Sequence, residues 1–200
     1  MRLVLASGSP RREMLLRQIG LRFDVVPSGA DEPVPDGARP ADVAERLAVA
    51  KARAVAAGRE AGLVIGADTV VVLGDLILGK PSGPEEAAGM LRALSGRRHE
   101  VITGIAVVDA STGRTRSDAV VTEVTFAPLS EELIERYVAT SEPLDKAGAY
   151  GIQGFGALLI EGIEGCYFNV VGLPLRRLAE LLSAFGFDAF EMLDGQRDEA

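Results

Sequence analysis

The sequence predicts a mixed α/β fold: a curved mixed sheet with flanking helices, arranged as two lobes around a cleft. Short runs dense in β-branched and aliphatic residues alternate with segments of helical periodicity, but without the regular strand-helix-strand order of a purely parallel sheet. The apolar share, 48% of 200 residues against 25% charged, is enough to bury a substantial core and too high for disorder. No repeat or low-complexity tract interrupts the pattern, so residues 1–186 read as one domain and 187–200 as an acidic, frayed tail.

The elements follow in order. Residues 3–6 are an apolar run that Ser7, Gly8, Ser9 and Pro10 break, after which Met14, Leu15, Gln18 and Ile19 recur at helical spacing up to Gly20. This is strand, loop, helix. Ser9 suits the N-cap, Pro10 the first helical position, where a missing N–H costs nothing, and Gly20 the stop. Residues 23–27 form a second strand, and the stretch 31–40, rich in Pro, Gly and acid, reads as loop. An alanine-rich helical pattern over 41–58 carries Lys51. Residues 63–65 and 69–73 are strand-like runs that flank Gly66, Ala67 and Asp68, and Gly74-Asp75 before residues 76–78 is a hairpin signal of the Gly-first kind. A helix over 84–95 has Glu85 and Glu86 in its first turn and Gly96 after its end. Residues 101–108 and 119–126 read as a long antiparallel pair around the turn at 111–113. A helix at 130–139, a strand at 157–163 and a closing helix at 174–185 complete the pattern.

Charge and composition exclude several classes of function. Asp and Glu outnumber Lys and Arg 29 to 21, a net charge of −8, which argues against an extended nucleic-acid surface and makes any phosphate site local. One cysteine, Cys166, excludes an intrachain disulfide framework and a Cys-rich zinc site and fits a reducing compartment. His99 is the single histidine, so a multi-His metal site is excluded too. No run reaches the roughly 18 apolar residues that span a bilayer, and the first residues do not resemble a signal peptide, so a cytoplasmic protein with no membrane partner is expected.

Four segments could carry chemistry. Ser7-Gly8-Ser9-Pro10-Arg11-Arg12 lies where a strand hands over to a helix, a place where free N–H groups and the helix dipole favour an anion. Arginine in a first turn has the wrong sign for that dipole unless an anion is near, although a capped helix with two solvated arginines is the competing reading. Gly66-Ala67-Asp68-Thr69 sets a carboxylate inside an apolar stretch, where an unpaired ion costs several kcal/mol, unless Asp68 caps a turn between two strands. With Asp31 and Glu32 in the preceding loop, the chain can offer hard oxygen ligands to Mg²⁺. Gly79-Lys80-Pro81 fixes a lysine after the hairpin; it suits a phosphate, as Lys51 does, or it is a solvated turn residue.

The fourth segment runs from Asp145 to Gly154, where glycines let backbone approach a ligand and the Gln153 amide can read a base edge; alternatively Asp145 and Lys146 are surface charges and Tyr150 packs. Residues 165–174 look like a second such loop entering a helix, with aromatics that suit a core and a Cys166 lacking any activating neighbour. His99 suits a structural role; spacing leaves a Ser-His-Asp triad open, but no Gly-x-Ser-x-Gly elbow supports one.

These segments, with Leu5-Ala6, Val70-Val71, Leu94-Ser95-Gly96, Thr103-Gly104 and Val171-Gly172-Leu173-Pro174, together resemble the Maf family of nucleoside triphosphate pyrophosphatases, related in fold to the inosine triphosphatases. The resemblance spans nearly the whole chain. It implies that Asp68 is the proton acceptor, that Ser7, Arg12, Lys51 and Lys80 surround the triphosphate, that Glu32 and Asp68 serve a divalent cation, Mg²⁺ or Mn²⁺, and that the protein is a homodimer. Arg11, Thr69 and Gln153 look like the branch that cleaves dTTP and UTP, with CTP a further candidate, to the monophosphate and pyrophosphate. A nucleotide-binding regulator of septation with incidental hydrolysis is the alternative from another class.

Overall fold

The protein is seen here as a computed structural model that describes residues 1–30 and 37–189. Seven strands, β1 (Leu3–Leu5), β2 (Phe23–Val25), β3 (Leu63–Leu73), β4 (Leu76–Leu78), β5 (Arg98–Asp109), β6 (Thr115–Phe126) and β7 (Ile160–Glu164), form one mixed sheet in the order β2-β1-β3-β5-β6-β7, with β4 also paired to β3. The helices are α1 (Pro10–Gln18), α2 (Pro40–Ala56), α3 (Pro84–Leu94), α4 (Glu131–Ala139), α5 (Tyr167–Val171) and α6 (Leu175–Ser183). The contact pattern divides the chain into two units: Met1–Asp68, Thr103–Val120 and Gly172–Ala200 form the first, Thr69–Ile102 and Val121–Val171 the second.

In the first unit β1 lies between β2 and β3 and is parallel to both, with Leu3 opposite Phe23 on one side and Leu63 on the other. A parallel strand covered on both faces has no polar side to show, and Leu3, Val4 and Leu5 are all buried. The core here combines Val4, Ala6, Val64, Ala106 and Val108 with an alanine stripe of α2, Ala48, Ala52 and Ala56. Two glycines set how close α2 comes. A Cβ on Gly66 would lie 2.2 Å from the Ala48 carbonyl oxygen, and one on Gly104 would lie 2.1 Å from that of Ala44. Helix backbone therefore rests directly on strand backbone.

That contact corrects one sequence expectation. Residues 63–65 and 69–73 are not two strands around a turn; β3 runs unbroken through Gly66, Ala67 and Asp68. Gly66 is there for close packing, not for a bend, and Asp68 caps no turn.

In the second unit β3 pairs antiparallel with β4, Leu73 opposite Leu76, as the Gly74-Asp75 signal predicts. β6 pairs antiparallel with β7, with an irregularity at Thr125/Phe126. The core gathers Leu91 and Leu94 of α3, Ile134 and Tyr137 of α4, and Val71, Val124, Phe126 and Leu159. Ser130 caps α4 by accepting the Leu133 N–H at 3.2 Å. Two expectations fail in this unit. Residues 154–159 form a 3-10 helix and the strand starts only at Ile160, so the expected strand at 157–163 is half replaced. Residues 165–174 are no simple loop either: α5 lies within them and buries Asn169, whose amide donates to the Val101 carbonyl and to Thr122 Oγ1, both at 2.9 Å. A single helical turn this short carries no periodicity that a sequence can show. Residues 31–36 of the expected 31–40 loop and residues 190–200 of the expected 187–200 tail lie outside the described residues.

Candidate active site

The strand-to-helix turn after β1 is organised by Ser7, which is 7% exposed. Its Oγ accepts the Ser9 N–H at 3.1 Å and an Arg12 guanidinium N–H at 3.3 Å. Ser9 occupies the N-cap position but its own side chain makes no capping bond; its backbone N–H is instead tied back to Ser7. Arg12 also donates from Nε to the Gly172 carbonyl at 2.8 Å. Burial pushes the Arg12 pKa down to about 10, against the opposing pull of the Asp68 charge, and Arg11 adds a small further push. The group stays charged at neutral pH. Arg11 is likewise engaged and half-buried.

Because Gly66 admits α2 so closely, Lys51 reaches across to the next strand residue but one. Its ammonium donates to Asp68 Oδ1 at 2.5 Å, with the two side chains 22% and 17% exposed. This pair is neither surface decoration nor sealed core. A carboxylate, an ammonium and a guanidinium thus share one partly open region of the first unit, and such a mixed set suits an anion that brings its own countercharge.

Thr69, Lys80 and Gln153 belong to the second unit. Thr69 follows Asp68 on β3 and is half-buried. Lys80 stands exposed just past β4, where the preceding Gly79 carbonyl accepts the Gly148 N–H at 3.0 Å and so ties the hairpin end to the 145–154 segment. Gln153 is half-buried between Gly151 and Gly154. Glu32 falls outside the described residues.

His99 and Lys146 make structural contacts. His99 is buried, exchanges a hydrogen bond with the Tyr150 hydroxyl at 2.7 Å and stands edge-on to Phe126, which is packing rather than a triad. Burial pushes its pKa down to about 4. Lys146 is 13% exposed and ties down its own segment, so the expectation of a surface charge holds for Asp145 but not for Lys146. Sequence reasoning passed over Glu142, whose carboxylate accepts three hydrogen bonds inside the second unit. Its signal in sequence, an acid before a proline, is that of any exposed loop.

Among the described residues no group of three or more His, Cys, Asp or Glu side chains is arranged to hold a metal ion. Asp68 nevertheless fits Mg²⁺, which usually takes one or two carboxylates and completes its shell with phosphate oxygens and water. Nor is any described helix long and apolar enough to cross a membrane.

The chain is similar to the dTTP/UTP pyrophosphatase of Moorella thermoacetica, 58% identical over 189 residues that cover 94% of this chain and 97% of that one. It is 55% identical over 186 residues to the dTTP/UTP pyrophosphatase of Pelotomaculum thermopropionicum, covering 93% and 97%. Among solved structures, that of the Staphylococcus aureus Ham1 protein matches with a TM-score of 0.46 at 18% identity, over 80% of each chain. The family model described as "Maf-like protein" matches residues 2–185, the span that holds every described residue of the Lys51, Asp68 and Arg12 cluster, and on that match the chain belongs to the Maf family.

Proposed function

We propose that the chain hydrolyses dTTP and UTP to the nucleoside monophosphate and pyrophosphate. The observation that carries the chemistry is the Lys51–Asp68 pair with the charged Arg12 beside it. The substrate class rests on the two relatives, whose printed activity is dTTP/UTP pyrophosphatase.

In this reading Arg12, Lys51 and Lys80 bind phosphate oxygens, and the Ser7 hydroxyl sets the orientation of the Arg12 fork through its 3.3 Å contact. Asp68 takes the proton from the attacking water. The bond from the new oxygen to the α-phosphorus forms as the bond from that phosphorus to the bridging oxygen breaks, and pyrophosphate leaves with its charge spread over the cations. Arriving phosphates compete with Asp68 for the Lys51 ammonium, which releases Oδ1 for its work as base. Asp68 and Glu32 would hold a divalent cation, Mg²⁺ or Mn²⁺, which when bound would supply neutralisation of the triphosphate. One carboxylate does not readily serve both as direct ligand and as free base, so one of the two Asp68 roles would be indirect. Arg11, Thr69 and Gln153 read the base, and a purine leaves their polar groups unpaired.

The deciding measurement is Mg²⁺-dependent pyrophosphate release across a panel of nucleoside triphosphates. UTP and dTTP should exceed GTP and ATP by about a hundredfold or more in kcat/KM. Release of orthophosphate, or binding without turnover, overturns the proposal. The protein acts in the cytoplasm as a homodimer in the same reading, the first supported by its lone cysteine and the second by its family resemblance. Cell fractionation and sedimentation velocity test each.

A further inference from the structure

Gln153 occupies the N-cap position of the 3-10 helix Gly154–Leu159, with an extended backbone (φ −98°, ψ 162°), yet its side chain makes no capping bond. Glutamine is not among the residues favoured there, and the first N–H groups of a helix need acceptors from somewhere. They find them in Glu142. Its Oε2 accepts the Phe155 N–H at 3.0 Å and its Oε1 accepts the Gly156 N–H at 3.0 Å. Tyr137 donates its hydroxyl to Oε1 at 3.0 Å and is itself buried, so the carboxylate is braced from behind by α4.

The fit leaves no slack. Gly154 has φ +68°, and a Cβ there would lie 2.7 Å from Glu142 Oε2. On the other side of Gln153, the stem of Lys146 lies against Gly151, where a Cβ would be 2.9 Å from Lys146 Cε. The Lys146 ammonium then returns to the Glu142 carbonyl at 2.5 Å. One residue, through its carboxylate and its carbonyl, therefore anchors both flanks of Gln153. Among the described residues no hydrogen bond is made by the Gln153 side chain itself.

We propose that Glu142 is a positioning residue for base selection: by capping the 154–159 helix in place of Gln153, it fixes that backbone and keeps the Gln153 amide uncommitted for a pyrimidine edge. This rests on the reading of Gln153 given above. Charge-assisted bonds to its two backbone donors hold the segment more firmly than a neutral cap would. Glu142 touches neither base nor phosphate in this scheme; it acts through Gln153.

The test is a cycle of four proteins, wild type, Glu142→Gln, Gln153→Ala and the double variant, each assayed for kcat and KM with UTP and with GTP and for thermal melting. Glu142→Gln keeps the shape but turns an NH₂ group toward an N–H donor. Its KM for UTP should rise about tenfold with kcat changed less than about threefold, and the UTP to GTP ratio of kcat/KM should fall about tenfold. In the Gln153→Ala background the same substitution should change that ratio less than about twofold. A lower melting temperature with an unchanged ratio makes Glu142 merely structural and overturns the proposal, as does a full effect in both backgrounds. If Gln153→Ala itself leaves the ratio unchanged, the reading of Gln153 fails first and this proposal with it. Should Glu142→Gln not fold, Tyr137→Phe removes one brace and keeps the ring; a fall of about twofold in the ratio is expected, and no change overturns the proposal.

Discussion

Lys51 with Asp68 in the first unit, and Glu142 with its donors in the second, are both charged groups set into half-buried backbone, yet their valences are spent differently. Among the described residues, Asp68 meets one ammonium on one oxygen and is 17% exposed. Glu142 spends both oxygens on three donors within its own unit. A carboxylate with most of its capacity in reserve can exchange partners when a substrate arrives, whereas one with both oxygens tied to backbone and a buried hydroxyl holds what it already holds. Partial satisfaction thus separates the group fitted for chemistry from the group fitted for architecture. The same contrast divides the two buried-side bases of the molecule: Arg12 keeps its charge at neutral pH, while burial keeps His99 neutral.

The largest effect expected is on Asp68. Asp68→Asn keeps the shape and a partner for Lys51 but removes the base, and turnover should fall by about 10³-fold or more while far-UV circular dichroism and melting stay close to wild type. A Glu142→Gln variant with an equally large loss of kcat would erase the distinction between the two carboxylates. Next comes the support of the first unit. Gly66→Ala places a methyl 2.2 Å from helix backbone that cannot yield as a side chain can, so stability should drop by about 3 kcal/mol or more in urea unfolding. Whatever fraction folds should lose activity too, since Lys51 is carried away with α2.

The third test concerns pH. His99 has a folded pKa of about 4 against 6.5 unfolded, so between these values the unfolded chain binds a proton that the native protein does not. Stability therefore falls as pH drops below 6.5, and the loss is complete below about 4. At pH 5 it should amount to about 2 kcal/mol, read as the difference in urea midpoints between pH 7 and pH 5, and His99→Asn should show a shallower dependence than wild type. An equal dependence in the two proteins would place the acid sensitivity on other groups.

Much of the fold was legible because it rests on local rules. The β1 run, Pro10 at the start of α1, the Gly74-Asp75 hairpin, and the acids opening α3 each speak through their own neighbours. Where the reading failed, a distant partner had intervened. Gly66 looks like a strand break until α2 is seen against it, and 157–163 looks like a strand until Glu142 caps a helix there. For the candidate site, motifs drew attention to Asp68 and Arg12, while Lys51 entered the site only through the family resemblance. The Lys51 contact, which spans 17 residues, was not readable, because a helix face and a strand position must be brought into register before the two charges can meet.

What the sequence by itself determined is the inventory: short apolar strands, capped helices, one carboxylate interrupting an apolar run, cations at a helix start, and a glycine-rich segment carrying one amide. Those follow from periodicity and from the cost of burying charge, which act within a few residues. Only the tertiary structure decided which charges are spent and which are kept in reserve. Whether a carboxylate meets one donor or three depends on groups far along the chain, and packing alone brings them to it.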